Sequence, residues 1–488
     1  MFKRLLYLLT FVLAVGHSYA QVTTSNISGT IKSPTNESLT GATITATHQP
    51  TGTVYRGTSL KNGVFSIVNM IPGGPYNIEI SYVGFQTFTQ SNVFLALGEN
   101  TRIDAALTGS TTALQEVVVT GTSGARRKTG ASTSISRQQI EALPTLNRSL
   151  SDLTRITPQA NGNSFGGANN RFNNITIDGA VNNDVFGLAA SGAPGGQANT
   201  TPISLDAIQE IQVVLAPYDI TYGNFTGGGV NAVTRSGTNK FDGSAYYFFR
   251  NENTIGKDPI TRIKSTEFSN KQYGVRFGGP IIKNKLFFFV NGELSRVTQP
   301  TLFNAGENNS ALTRDEAQRL ADTFRIKYNY NVGSFDVLQT QTQSDKVFAR
   351  IDWNINEKHR LTVRHNHISA FDDNVSRSPT LFRFENNTYR FNNKQDISVL
   401  ELRSRLSNKI SNNLIVGVHR IRDFRTTLGT PFPQVDITKG AATIQVGSER
   451  SSTGNELDQN IFEVTDNLRI FKGRHTFTIG THNEFFKF

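Results

Sequence analysis

From residue 240 onward, apolar and polar residues alternate in segments long enough to cross a bilayer as strands. Phe241, Ala245, Tyr247 and Phe249 alternate with Asp242, Ser244, Tyr246 and Arg250; Val347, Ala349, Ile351 and Trp353 alternate with Phe348, Arg350, Asp352 and Asn354. Successive side chains of a strand point to opposite faces, so one face suits lipid and the other a wet lumen. Nine such segments begin near residues 240, 271, 285, 345, 359, 396, 412, 459 and 474. Short links at 279–284, 355–358, 407–411 and 472–473 alternate with long polar ones at 251–270, 297–343, 368–395 and 424–459. That alternation is expected of an outer-membrane barrel with short turns on one side and long loops on the other. Parity puts Ile351 and Trp353 toward lipid and Arg350 and Asp352 toward the lumen. In a wet lumen, Asp352→Asn is expected to change stability little.

Residues 21–110 alternate in shorter runs. Ile27/Ile31, Ala42/Ile44/Ala46, Phe65/Ile67, Tyr76/Ile78/Ile80 and Val93/Leu95/Leu97 each mark one buried strand face. Asn62-Gly63 suits a tight hairpin, and Pro72-Gly73-Gly74-Pro75 a longer connection. Seven or so short strands in this length predict a small β-sandwich. Between the two β regions, residues 125–239 turn to Gly, Asn, Ser and Thr. Here 137–143 and 149–156 read as short helices, and 174–179 and 208–214 as strands.

Composition sharpens this. Lys3 and Arg4, an apolar run at 5–15 and the small residues Ser18 and Ala20 describe a secretory signal peptide, residues 1–20, cut between Ala20 and Gln21. The mature chain is exported. With Cys 0 there is neither a disulfide scaffold nor a thiolate for catalysis or metal binding. The formal charge of +11 is scattered along the chain and falls to +9 without Lys3 and Arg4. Nucleic acid, which needs a clustered basic footprint, is a poor partner; lipopolysaccharide phosphates suit an exported chain better.

The run Leu114, Gln115, Glu116, Val117, Val118, Val119 and Thr120 is β-prone and lies in Gly/Ser/Thr-rich sequence at 111–124. It reads either as a last strand of the preceding domain or as a handle that adds a strand to a partner's sheet edge. The residues downstream of it decide for the handle. Asn174-Ile175-Thr176-Ile177-Asp178-Gly179, then a strand ahead of Tyr222-Gly223, then Gly227-Gly228-Gly229 before an Asn-x-Val-Thr strand, resemble in order and spacing the plug of TonB-dependent outer-membrane receptors. In that setting 114–120 resembles the family's TonB box. The strings at 62–67, 71–78 and 81–85 resemble the carboxypeptidase regulatory-like domain, lengthened at Gly74-Pro75. Sandwich, box and plug in this order resemble the Oar-like branch, related to the SusC-like glycan importers.

The expected fold is therefore mainly β: a sandwich at 21–110, the box linker at 111–124, a mixed α/β plug at 125–239, and the first strands of an incomplete transmembrane barrel at 240–488. Nine is an odd number, and about 22 strands are needed to hold a plug, so roughly 13 more are expected beyond residue 488. The resemblance implies energised uptake of a glycan, peptide or metal chelate, with the periplasmic C-terminal domain of TonB as partner and a surface ligand-binding lipoprotein as a second candidate. The sandwich and plug then lie on the periplasmic side and the long loops outside. The second reading is an adhesin or structural barrel without energised transport.

No catalytic, cofactor or metal site is apparent, and the ligand-binding residues are not legible. His48, in the region with the carboxypeptidase-related name, has no acidic neighbour in sequence, which argues against a zinc peptidase. His365 and His367 share a face without a nearby carboxylate and are read as lipid-interface residues. Thr313-Arg314-Asp315-Glu316 has capping-box spacing, and Ala317, Leu320, Ala321 and Phe324 share a face, predicting a helix that packs the second long loop.

Overall fold

The computed structural model describes residues 22–109, 118–120, 126–127, 131–145, 148–260, 262–472 and 475–488, with backbone alone at 118–120 and 126–127. The signal-cleavage pair Ala20–Gln21 and box residues 114–117 lie outside them.

Eight short strands from Ser25–Lys32 to Ala105–Ala106 build a sandwich of two sheets. In one, Ser25–Lys32 pairs with Val64–Met70, Asn100–Arg102 and Ala105–Ala106; in the other, Thr53–Thr58, Thr43–His48, Gly73–Ser81 and Phe88–Leu95 follow in order. Every apolar position assigned to a strand face from the alternation is buried, and all but Leu97 join one core with Met70 and Ile103. Two turn assignments need correction. Asn62 and Gly63 do turn with positive φ, but the strands they join lie in opposite sheets, so they form a crossover. Gly73-Gly74-Pro75 opens the Gly73–Ser81 strand, whose irregular register against Phe88–Leu95 absorbs the extra residues.

The plug is a five-stranded sheet ordered Ala131–Ser136, Ile208–Leu215, Gly229–Thr234, Asn174–Ile177 and Ala180–Val181. Helices Arg137–Ala142 and Leu150–Thr154 follow capping boxes at Ser136 and Ser149, and their Ile140, Leu150 and Leu153 enter the plug core. Phe289 and Phe348 of the barrel wall join the same core, so plug and wall share apolar packing.

The barrel region is a nine-stranded antiparallel sheet in strict sequence order: Asp242–Asn251, Ser269–Ile282, Leu286–Pro300, Gln339–Asn354, His359–Asn374, Tyr389–Ser407, Ile410–Thr427, Glu456–Lys472 and His475–Lys487. We number these strands one to nine. Parity is as expected: Ile351 and Trp353 are 48% and 40% exposed, whereas Arg350 and Asp352 are 5% and 1% exposed. The long loops do not hang free. The capped helix Arg314–Tyr328 buries Ala317 and Phe324 in a loop core with Phe382, Phe384, Ile444 and Val446. A small sheet of Leu381–Arg383, Val435–Lys439 and Ala442–Val446 ties two loops together.

Candidate functional site

The turn after the Asn174–Ile177 strand carries Asp178 and Gly179, both at positive φ, which aims the Asp178 carboxylate at the wall. There it accepts from the Thr234 amide at 2.8 Å and the Thr234 hydroxyl at 2.6 Å, and faces Arg364 at 3.0 Å and Arg350 at 3.5 Å. Arg350 also donates to the Thr234 carbonyl, and Arg364 to that of Ile177. Behind this contact, Asp352 accepts from Arg350 at 2.8 and 2.9 Å, from Arg360 at 3.0 Å and from the Thr362 hydroxyl at 2.8 Å. These groups form a buried charged lock between the plug and strands four and five. Asp352 is therefore not a lumen side chain in water, and the wet-lumen premise behind a harmless neutralisation is corrected: this face is covered and its charge is left to protein partners.

Further locks line the same surface. Glu293 accepts from Lys346 at 2.8 Å, from the plug hydroxyl of Ser204 at 2.8 Å and from Tyr246 at 2.7 Å. Lys346 in turn donates to Thr201 of the plug at 2.7 Å. On strand six, Glu401 and Arg403 pair at 2.7 Å and take the hydroxyl and the carbonyl of Thr23, which leads into the sandwich.

The other plug motifs have structural work as well. The Tyr222 hydroxyl donates to Gln212 at 2.9 Å, and Gln212 donates to the Leu97 carbonyl at 2.8 Å while Glu210 accepts the Leu97 amide at 2.9 Å. The Tyr-Gly element thus helps fasten the sandwich to the plug's second strand. Burial pushes the Tyr222 hydroxyl well above its ordinary pKa range, keeping it a donor. Gly223 gives its carbonyl to Asn174 at 2.9 Å. The glycine triplet is required by packing: a Cβ at Gly227 would stand 2.5 Å from Asn173, at Gly228 2.8 Å from Phe165, and at Gly229 3.0 Å from Phe225.

Within the box segment, Val118–Thr120 is extended but not free. It adds in parallel to the edge strand Phe88–Leu95, Val118 opposite Thr89 and Thr120 opposite Ser91. Farther along, Arg126–Arg127 pairs with Asn100–Thr101 on the other sheet of the sandwich. The three described residues of the box segment thus lie on a sheet edge within their own chain.

The histidine assignments fare differently. His48 is buried against Tyr76, with Nδ1 2.7 Å from the Thr51 hydroxyl, and burial, assisted by Arg360, lowers its pKa to about 3. His365 and His367 lie on the lipid-side face as expected, but the claim that no carboxylate is near is overturned. Asp396 on strand six stands 2.8 Å from His367 and 3.6 Å from His365. It is His367's direct cross-strand neighbour, a relation that sequence distance hides.

A small sandwich, a plug keyed to a barrel wall by buried charge, and loops assembled on the opposite rim define the class of TonB-dependent outer-membrane receptors. The chain belongs to this family: residues 233–318 and 315–487 match the outer membrane beta barrel domain, 125–230 the TonB-dependent receptor plug domain, and 26–108 the carboxypeptidase regulatory-like domain. It is an outer-membrane protein. It is similar to the TonB-dependent transporter Oar of Myxococcus xanthus, 26% identical over 245 residues, which are 46% of this chain and 22% of Oar. Among solved structures it resembles the outer membrane transporter YddB from Escherichia coli, with TM-score 0.49, 14% identity, and coverage of 70% of this chain and 46% of YddB. It also resembles a mutant ferric enterobactin receptor, PfeA, from Pseudomonas aeruginosa in complex with enterobactin, with TM-score 0.48, 14% identity, and coverage of 72% and 49%. The chain spans about half the length of these solved receptors and 22% of Oar.

Proposed function

We propose that this chain takes part in TonB-dependent, energy-coupled uptake of a ligand across the outer membrane, with residues 114–120 as the TonB box. The cargo is a glycan, a peptide or a metal chelate, bound from outside, with a surface lipoprotein as a candidate co-receptor. The observation that carries the reading is the position of Val118–Thr120: an extended segment on a sheet edge, between the sandwich and the first plug strand.

Three backbone partners are few, so a periplasmic domain offering a longer edge can compete for the segment by strand addition. The 11 residue steps from Thr120 to Ala131 span at most about 40 Å when extended. Inward tension then unpairs Arg126–Arg127 and reaches Ala131–Ser136, itself an edge strand held by six residue pairs to Ile208–Leu215. This edge strand can be peeled without breaking the far side of the sheet, where the turn between the last two strands keys Asp178 to the wall. Force on the handle thus loosens the plug stepwise.

The test is titration of the receptor with the periplasmic C-terminal domain of TonB. Val118→Pro removes a backbone donor and should weaken binding at least tenfold. Binding unchanged in that variant, together with no ligand uptake by the parent and a surface activity that deletion of 114–120 leaves intact, would favour an adhesive or structural barrel.

A further inference from the structure

Strands seven, eight and nine bring together four side chains that the plug–barrel lock does not use: His419, Glu463, His482 and Glu484. Glu463 lies directly opposite Gly417 on one neighbouring strand and Glu484 on the other. Two carboxylates facing each other across adjacent strands repel unless a cation stands between them. The ligand atoms of Glu463, His482 and Glu484 all lie within 4.8 Å of one another. Nε2 of His482 is 3.5 Å from Glu484, and Nε2 of His419 is 3.5 Å from Glu463. A tetrahedral ion with bonds of about 2.1 Å holds its ligand atoms about 3.4 Å apart, so the two histidine–glutamate distances already match a coordination shell and the remaining atoms need only small side-chain shifts to complete it.

Burial supplies an independent sign. The side chains of Glu463, His419 and His482 are 1%, 3% and 7% exposed. Yet Glu463 Oε1, His419 Nε2 and His482 Nε2 have no hydrogen-bond partner among the described residues. Buried polar atoms are rarely left this way, and here they converge. The opposite ring nitrogen of His482 is 2.6 Å from the Thr465 hydroxyl, the outer contact that orients a histidine ligand. Gly417 leaves the room: a Cβ there would stand 2.5 Å from the Glu463 side chain.

We propose that Glu463, His482 and Glu484 bind a divalent first-row transition ion such as Zn²⁺, with His419 as fourth ligand or as positioning residue for the Glu463 carboxylate. Mixed imidazole and carboxylate donors suit such ions better than Ca²⁺ or Mg²⁺, which take oxygen ligands. The site also touches the plug. The other Glu463 oxygen accepts the amide of Val181, in the last plug strand, at 3.1 Å. An ion here holds that carboxylate in place and so strengthens the grip of the wall on the plug. This inference is independent of the box assignment and of the cargo.

The test uses the purified, detergent-solubilised receptor, with Co²⁺ as spectroscopic probe and Zn²⁺ as competitor. The expected result is one Co²⁺ per chain with visible d–d absorption, displaced by Zn²⁺, and a melting temperature that rises with Zn²⁺. His482→Ala and the shape-preserving Glu484→Gln should each weaken binding about tenfold or more and abolish the melting shift. Glu484→Gln keeps the assay decisive if the alanine variant folds poorly. Absence of stoichiometric Co²⁺ binding, or binding that both variants leave unchanged, would overturn the proposal and leave a cluster of histidine–glutamate ion pairs.

Discussion

Replacing Asp178 by Ala is expected to loosen the plug from the barrel wall. The carboxylate is buried and faces two guanidinium groups and both donors of Thr234. The two arginines do not lose equally. Arg350 retains Asp352 through two contacts, whereas Asp178 is the carboxylate paired with Arg364, whose side chain is 3% exposed. Stranding one charge of a buried pair costs about 3–5 kcal/mol. At about 1.4 kcal/mol per factor of ten, the population with a released plug should rise by roughly 100- to 4000-fold. Trypsin cleavage within the plug, followed across a urea series on the purified receptor, reads that population. The variant should shift plug cleavage to lower urea while leaving barrel proteolysis unchanged. An increase of less than about fivefold would mean that Arg364 is neutralised without Asp178, and would refute the lock.

Both faces of strand four should be sensitive, for different reasons. Ile351→Arg should cost roughly 2–4 kcal/mol near the bilayer midplane and less toward the rim, and Asp352→Ala about 3–5 kcal/mol through its stranded arginines; a harmless Asp352→Ala in unfolding titrations would refute the buried network. The unfolded chain protonates His48 below about pH 6.5, whereas the folded ring stays neutral down to about 3. Its contribution is therefore complete above pH 6.5 and is lost progressively between 6.5 and 3, by up to about 5 kcal/mol, so a His48→Gln receptor should show a flatter melting profile over that window. Gly228→Ala drives a methyl group into Phe165 and should destabilise the plug by about 1–3 kcal/mol; unchanged plug protection from trypsin would count against the packing role of the triplet.

What could be read in the sequence was local periodicity. Alternation placed the barrel strands, their lipid-facing residues and the sandwich core, because each is set by side chains two positions apart. Strand starts were placed late where the polar run at 339–343 carries no apolar face; strand four begins at Gln339 rather than near 345. Strands of up to 19 residues exceed the 9–11 needed to cross lipid, and their outer ends escape that constraint. The long-range pairings were hidden. Asp178 meets Arg364 across 186 positions, and His367 meets Asp396 only once strands five and six are in register. A signal for the His–Glu cluster was present, since His482 and Glu484 are two apart and share a face, but Glu463 enters only through the register of strand eight. Lumen polarity was misread as wetness because nothing local says that a plug covers it.

The central claim is that residues 114–120 are the handle on which TonB pulls. Cysteines placed singly at 114–120 and scanned against cysteines in the TonB C-terminal domain, in intact energised cells, test this most directly. The expected result is disulfide cross-linking confined to this segment, in a pairing pattern that advances one residue at a time along both chains and is abolished by Val118→Pro. No cross-link in this segment, with efficient cross-linking from another periplasmic surface of the same receptor, would contradict it.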